Sequence, residues 1–529
     1  MSISFLRVAA LTTTILCSSS IFGTAFAEVV YNRGNSADPE SLDPHKTSTI
    51  YENNIQVDLF EGLLMPDMNA EPIPGAAESW TVSDDGKTYT FKMRQGAKWS
   101  DGTPVTAHDF VYSMQRVQDP ATACEYASML YVIKNAEAVN TGKAKAEELG
   151  VKALDDMTLE VTLNNPTPYF LEMLTHHASF PVQKAAVDKH GNDWAKPGNL
   201  VSNGAYKLTA FVPNDHIELV KNELFHDAAN VKIDKIMYIP TEDRSTAMKR
   251  YEAGEILSND DLPTEQLAAL KEKFGDQVRL GAYLGTYYYA MNWKKEPWNN
   301  PKLRNAVSMA IDRDFLAEKV WQNTMLPGYS MVPPGIEGYT PALISWADKP
   351  QIDREDEAAK VLAELGYGPD KPLKMELRYN SGENHKNTAV AIQEQLRPLG
   401  IEVSLLNTDT KTHYEYLEHK GDYDIARAGW IADYKDPETF LGISAKASGN
   451  NHSNYDNPTF EEDLKKAAEA AAVPAERMKA LSEAERVLMD DQGNIPLLYY
   501  SNRNIVSPKL KGFQENVMNV HPTRFMSIE

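Results

Sequence analysis

The chain is nearly without cysteine: Cys17 and Cys124 are the 2 in 529 residues. Cys17 falls inside residues 1–27, which read as a secretory signal: one charge at Arg7, an apolar run from Val8 to Leu16, and the small-residue pattern Ala25-Phe26-Ala27. Removing that segment leaves Cys124 alone, so no intramolecular disulfide can staple the 502-residue mature chain, even in an oxidising compartment. The fold has to stand on its hydrophobic core. Beyond the signal no stretch approaches the roughly 20 apolar residues that span a bilayer. Thr14-Ile15-Leu16 ahead of Cys17 also lacks the small residues that a lipoprotein peptidase expects. A soluble exported protein, cut between Ala27 and Glu28, is therefore expected.

Positive charge is in deficit as well. With 53 Lys and Arg against 75 Asp and Glu, the net charge of −22 repels nucleic acid phosphates and anionic lipid headgroups. The chain holds no internal repeat and no low-complexity tract. It carries neither a Gly-x-Ser-x-Gly elbow nor a His-Glu-x-x-His helix, so a peptidase, the natural enzyme alternative, is left without recognisable machinery. His176-His177 and the pair His413/His419 lack zinc spacing and read as surface or cleft histidines. No motif surrounds Cys124, which reads as a small buried residue. No catalytic residue, metal site or cofactor is expected.

What is present is a long globular chain that exceeds one hydrophobic core and implies two or three lobes. Trp80 and Val82, then Tyr89, Phe91 and Met93, alternate with polar residues around the turn Asp84-Asp85-Gly86-Lys87, which predicts a β-hairpin with one buried face. Thr106 with Asp109 predicts a capped helix starting near Ala107, and Leu159, Val161 and Leu163 predict another strand. Residues 61–184 thus read as a small α+β lobe. Later the rhythm changes. Ala358, Ala359, Val361, Leu362 and Leu365 form a helical face that stops at Gly366. A strand with Leu373, Met375, Leu377 and Tyr379 follows, then a helix with Ala389, Ile392 and Leu396, and strands from Ile401 to Leu406 and from Asp424 to Trp430. That order argues for an α/β lobe whose strands are largely parallel, with ligand in the crevice beyond their carboxyl ends, where Asp433 falls.

Several longer strings carry a resemblance: Ser41-Leu42-Asp43-Pro44-His45, Asp58 to Leu64, Lys98 to Thr106, Asn203-Gly204-Ala205-Tyr206 and Ala426 to Trp430. With them, and with the region Ala77 to Tyr112, the chain resembles the extracytoplasmic solute-binding proteins, family 5, that serve peptide-importing ABC transporters. The resemblance implies an α/β bilobal periplasmic-binding-protein clamp, type II-like, with an extra small α+β domain. Lobe I would combine 28–60, 185–285 and 501–529, the small domain 61–184 would attach to it, and lobe II would be 286–500. Implied with the fold are a monomer in the periplasm, short peptides as ligand held by main-chain hydrogen bonds, and permease subunits in the inner membrane as partner. Relatives of this fold also carry dipeptides, murein peptides, haem, nickel chelates or opines, and fold alone does not separate these.

By the same resemblance Asp433 corresponds to the anchor of the peptide α-ammonium; read without it, Asp433 could be a turn or capping aspartate before Lys435-Asp436-Pro437. Gly429 and Trp430 would lie along the peptide, Trp430 being equally readable as core. Arg427 and His385 correspond to cations that meet the peptide carboxylate; Arg427 could instead pair with Asp424. Tyr126 and Ser48-Thr49-Ile50 correspond to contacts on the other side of the cleft, and Tyr287 to Tyr289 could line the site or form strand core. The chain departs from the family pattern where Ile431 replaces a cysteine and Thr410 stands near a pocket-lining tryptophan. An arginine contact in the following helix is lost.

Overall fold

The computed structural model describes residues 28–529, so the expected signal segment and its cut site lie outside the described residues. The core divides into three large clusters. One gathers Tyr31, Leu59, Phe60, Tyr206 and Tyr238; a second gathers Phe91, Phe110, Met114, Leu159 and Phe170; the third runs from Leu284 to Leu498.

The second cluster underlies the small sheet, in which Ala77–Val82, Thr88–Met93, Thr158–Thr162 and Val151–Asp155 lie side by side, all antiparallel. Tyr89, Phe91 and Met93 are buried, whereas Val82, expected on the same buried face, is 45% exposed. The helix Ala107–Gln118 covers this sheet, and its first turn is closed by the Thr106 N–H donating to the Asp109 carboxylate at 2.8 Å.

The other two clusters share one sheet of eleven strands, one of them the two-residue Leu326–Pro327, which pairs with Asn494–Val506 beside the main order. On one side lie Ile401–Thr408, Leu373–Asn380 and Ile425–Ile431; on the other lie Ser258–Asn259, Val30–Asn35, Lys235–Pro240, His216–Lys221 and Tyr206–Val212. Between them run two long strands, Val278–Met291 and Asn494–Val506, antiparallel to each other. The first carries the chain through the expected 285/286 boundary without a break. Its pairing with the second is regular up to Ala282 opposite Ser501, resumes at Thr286 opposite Tyr499, and leaves Tyr283 to Gly285 unmatched between. On one side of that gap Ser258–Asn259 pairs with the end of Asn494–Val506, and on the other Ile425–Ile431 pairs with Gly285 to Met291.

The expected parallel arrangement holds for Ile401–Thr408, Leu373–Asn380 and Ile425–Ile431, while Val278–Met291 runs against them. In the helix Gln351–Glu364, Ala358 and Leu362 are buried but Ala359 is exposed, so the apolar stripe is narrower than the sequence suggested. Gly366 ends it with φ +83°, a conformation costly for residues with a Cβ.

The strings that carry the resemblance are mostly joints of this scaffold. Asp58 accepts from the Tyr238 hydroxyl at 2.8 Å and the Thr523 N–H at 2.9 Å, tying the C-terminal segment to the helix Ile50–Leu59. Gly204 lets Leu59 pass: a Cβ there would sit 2.6 Å from the Leu59 carbonyl carbon.

Candidate binding cleft

Asp433 lies two residues past the end of the strand Ile425–Ile431, and its side chain is 11% exposed. Its contacts come from the small domain: the Tyr126 hydroxyl donates to Oδ1 at 3.4 Å and His176 Nε2 lies 3.4 Å from the same atom. Burial, acting alone, lowers His176 to about 3, so this contact is the approach of a neutral imidazole rather than an ion pair. No Lys or Arg among the described residues pairs with Asp433, and burial pushes its carboxyl up to about 7, with His177 and Tyr126 opposing only in part. The capping alternative fails on geometry. The carboxylate that accepts the Glu438 N–H at the start of the helix Glu438–Leu441 is that of Asp436, which also binds Arg477 in bidentate fashion at 2.6 and 2.8 Å.

Arg427 presents the opposite situation. Its guanidinium donates to the Tyr414 and Tyr500 hydroxyls at 2.6 Å each and to Asn380 at 3.2 Å, and it stacks 4.8 Å above the Tyr287 ring. Its Nε has no partner, and no carboxylate among the described residues pairs with it. The expected alternative, Asp424, is engaged instead with Lys295 at 3.1 Å. Gly429 lines the cavity, and a Cβ there would lie 2.6 Å from the Tyr500 hydroxyl that receives the Arg427 guanidinium.

All nine residues singled out from sequence, Asp433, Ile431, Trp430, Gly429, Arg427, His385, Tyr126, Ser48 and Ile50, line one cavity of about 330 Å³. Trp430 is half-buried and donates from Nε1 to the Thr439 hydroxyl at 3.1 Å, which fixes its ring 6.2 Å from that of Tyr126 across the cleft. Burial and the charge of Arg427 keep His385 neutral, well below the usual histidine range. Tyr287, Tyr288 and Tyr289 are core, all under 2% exposed. His413, expected at the surface or in the cleft, is fully buried and held by the Arg427 carbonyl at 2.8 Å. Cys124 is half-buried, and burial raises its thiol to about 12, leaving it a poor nucleophile.

Sequence reasoning missed other residues of the cleft. Tyr283 and Tyr500 line it from the unmatched stretch of the two long strands, their rings 6.3 Å apart. Arg503 lines it while paired to Asp261 at 2.9 Å. Nothing in their sequence context distinguishes them from ordinary strand residues.

Two lobes joined by continuous strands, with unpaired charges of opposite sign buried between them, define a bilobal solute-binding protein. The sequence profile of bacterial extracellular solute-binding proteins, family 5 Middle, matches residues 71–452. The chain belongs to this family. It is 42% identical over 485 residues to the periplasmic oligopeptide-binding protein OppA of Salmonella typhimurium, spanning 91% of this chain and 89% of that one. Among solved structures it is similar to the Escherichia coli murein tripeptide binding protein MppA, with 37% identity, 95% and 98% of the two chains covered, and a TM-score of 0.91. Haemophilus influenzae OppA in complex with RPPGFSPFR gives 0.90 at 37% identity, covering 95% and 99%. Against the unliganded open form of MppA the score falls to 0.69 over 95% and 97%, so the lobes here stand in a different, closed relation. These relatives are substrate-binding proteins rather than enzymes.

At Asp433 closure has an acid dependence with a definite sign. In the closed form the Asp433 carboxyl is raised to about 7, whereas parting the lobes returns it to water and toward its ordinary 3.8. At Asp433 the closed form therefore binds the proton more tightly, which favours closure as pH falls from 7 toward 4, while His176, His177 and His385, lowered by burial in the same cleft, oppose it below their ordinary 6.5. The Asp433 contribution is isolated by small-angle scattering of ligand-free wild type against Asp433→Asn, which is neutral at every pH. The variant should have the smaller radius of gyration at pH 8, and the difference should shrink at pH 5. An equal difference at the two pH values would contradict this.

Proposed function

We propose that this chain is the periplasmic substrate-binding component of an ABC importer, which captures short oligopeptides between its lobes and delivers them to a membrane permease. The observation that carries the reading is the pair of unmatched charges in one cleft, Asp433 and Arg427. A peptide zwitterion offers their complements, an ammonium for the carboxylate and a carboxylate for the guanidinium. The two sit six positions apart along one stretch of chain, at most about 20 Å between Cα atoms at about 3.3 Å per residue. That suits an extended peptide of a few residues. Because main-chain hydrogen bonds carry such binding, many sequences fit.

The protein acts by binding and release, as a monomer, without catalysis or cofactor. Mass spectrometry of ligand retained through native purification tests this. Short peptides with a free N-terminus are expected, and a retained metal chelate, haem or sugar derivative would replace the peptide reading by another.

A further inference from the structure

The cleft contains a group of hydrogen-bond acceptors that neither end of the ligand uses. It forms where the helix Thr410–Glu418 of the large α/β lobe meets the small domain. Glu418, the last residue of that helix, lines the cavity and comes within hydrogen-bonding reach of Glu125, the first residue of the 3-10 helix Glu125–Val132, which lies behind the cavity wall. Neither carboxyl group has an ion-pair partner among the described residues, and Glu125 Oε2 is buried without any hydrogen bond. Nearby cations are committed elsewhere. Lys420 gives its ammonium to the Gly449 and Asn451 carbonyls at 3.2 and 2.8 Å, and Lys411 sits at the surface against Glu40 and Glu415 at 3.7 and 3.8 Å. His419 is exposed and held on the Glu415 carbonyl at 2.6 Å.

A second observation points into the same space. His452 is 7% exposed and lines the cavity together with Glu418 and Tyr414, yet neither of its ring nitrogens has a hydrogen-bond partner. Burial, with Lys420 adding to it, lowers this imidazole to about 3, so it is neutral and one ring nitrogen is an open acceptor. The Tyr414 ring lies 6.4 Å from it, one helical turn before Glu418 and on the same face.

Buried polar groups left without partners are costly, and two carboxylates brought together are more so. When the cleft closes over nothing, Glu125 and Glu418 must share a proton, and burial and the Glu125 charge accordingly push Glu418 up to about 8. A cation with several N–H donors would take that proton's place, bridging both carboxylates and donating to the imidazole. We infer that Glu125, Glu418 and His452 form a subsite that selects a basic ligand side chain, lysine or arginine. The inference rests on the peptide reading and narrows it.

Calorimetry at pH 7.5 with a tetra-alanine scaffold tests it, each position in turn carrying lysine, norleucine or glutamate. At one position lysine should bind at least ten-fold tighter than norleucine, with glutamate weaker than both. In the Glu125→Gln/Glu418→Gln double variant the lysine-to-norleucine ratio at that position should fall below three. Ratios below three at every position of wild type, or a ratio that survives in the double variant, would overturn the subsite while peptide binding itself stands. If tetra-alanine and all its derivatives fail to bind, the peptide reading falls and the subsite with it.

Discussion

Asp433→Ala is expected to weaken binding of a tri- to pentapeptide by about thirty-fold to several-thousand-fold. Truncating one member of a buried charge pair typically costs roughly 2–5 kcal/mol, because the other member is left desolvated and unmatched. Here the remaining member would be the ligand's ammonium, enclosed beside Tyr126 and His176, neither of which supplies a negative charge. The empty protein loses nothing comparable. Its own Asp433 receives only two contacts at 3.4 Å, so melting temperature and circular dichroism should stay near wild type. N-acetylating the peptide should harm wild type to a similar degree and add little to the variant, since both changes remove one interaction and do not sum. Equal binding of free and acetylated peptide by wild type would remove Asp433 from the ligand site.

The largest effect on stability is expected at a residue that does not line the cleft. Asp43 accepts both terminal nitrogens of Arg116 at 2.9 and 2.6 Å and the Trp194 indole N–H at 3.0 Å, joining the N-terminal segment to the helix Ala107–Gln118. Both side chains are largely buried, at 5% and 11% exposure. Asp43→Ala leaves the guanidinium buried beside a neutral His45 and should cost about 3–5 kcal/mol. For a chain of this size unfolding as one unit, that is roughly 3–5 °C in Tm. Asp43→Ala/Arg116→Met should recover part of the loss, because the stranded charge is gone. A double variant no better than the single would show that the pair is more than charge matching. Burial alone would raise the Asp43 carboxyl, but the bonds and charge of Arg116 hold it below its ordinary 3.8. The pair's contribution is therefore complete above about that pH and is lost as acid takes the carboxyl through its lowered value.

Asp43 also marks how the sequence could be read. Its string, Ser41 to His45, is among those that carry the family resemblance, and it serves as a joint, not as part of the cleft. Local patterns disclosed the elements well where one segment decides: the capped start at Thr106, the glycine stop at Gly366, the alternation of Leu373 to Tyr379. The cleft was legible where the resemblance supplied it, at Ser48, Ile50, Tyr126 and His385 and along Arg427 to Asp433. The rest depends on contacts between distant segments. Tyr126 and Asp433 stand 307 positions apart, and Tyr287 and His385, whose hydroxyl and ring meet at 3.3 Å, 98 apart. No periodicity announces such meetings, and His452, in a stretch without regular pattern, gave no signal at all. The alternative partner for Arg427, Asp424, was suggested by nearness in sequence; on a strand the side chains of positions three apart point to opposite faces.

The unmatched stretch Tyr283 to Gly285, set against Tyr500 in the two long strands, has a mechanical meaning. The lobes are joined by a continuous ladder whose widest interruption is this stretch, with a smaller register shift beside it between Tyr287 and Tyr288, so the sheet can flex there like a leaf spring with a notch. Tyr283 and Tyr500 flank the notch and also line the cavity, which seats the cargo close to the pivot. Leverage then works in the protein's favour: a small rotation at the notch, felt by the cargo as a slight loosening, sweeps the distant rims of the lobes through a wide arc.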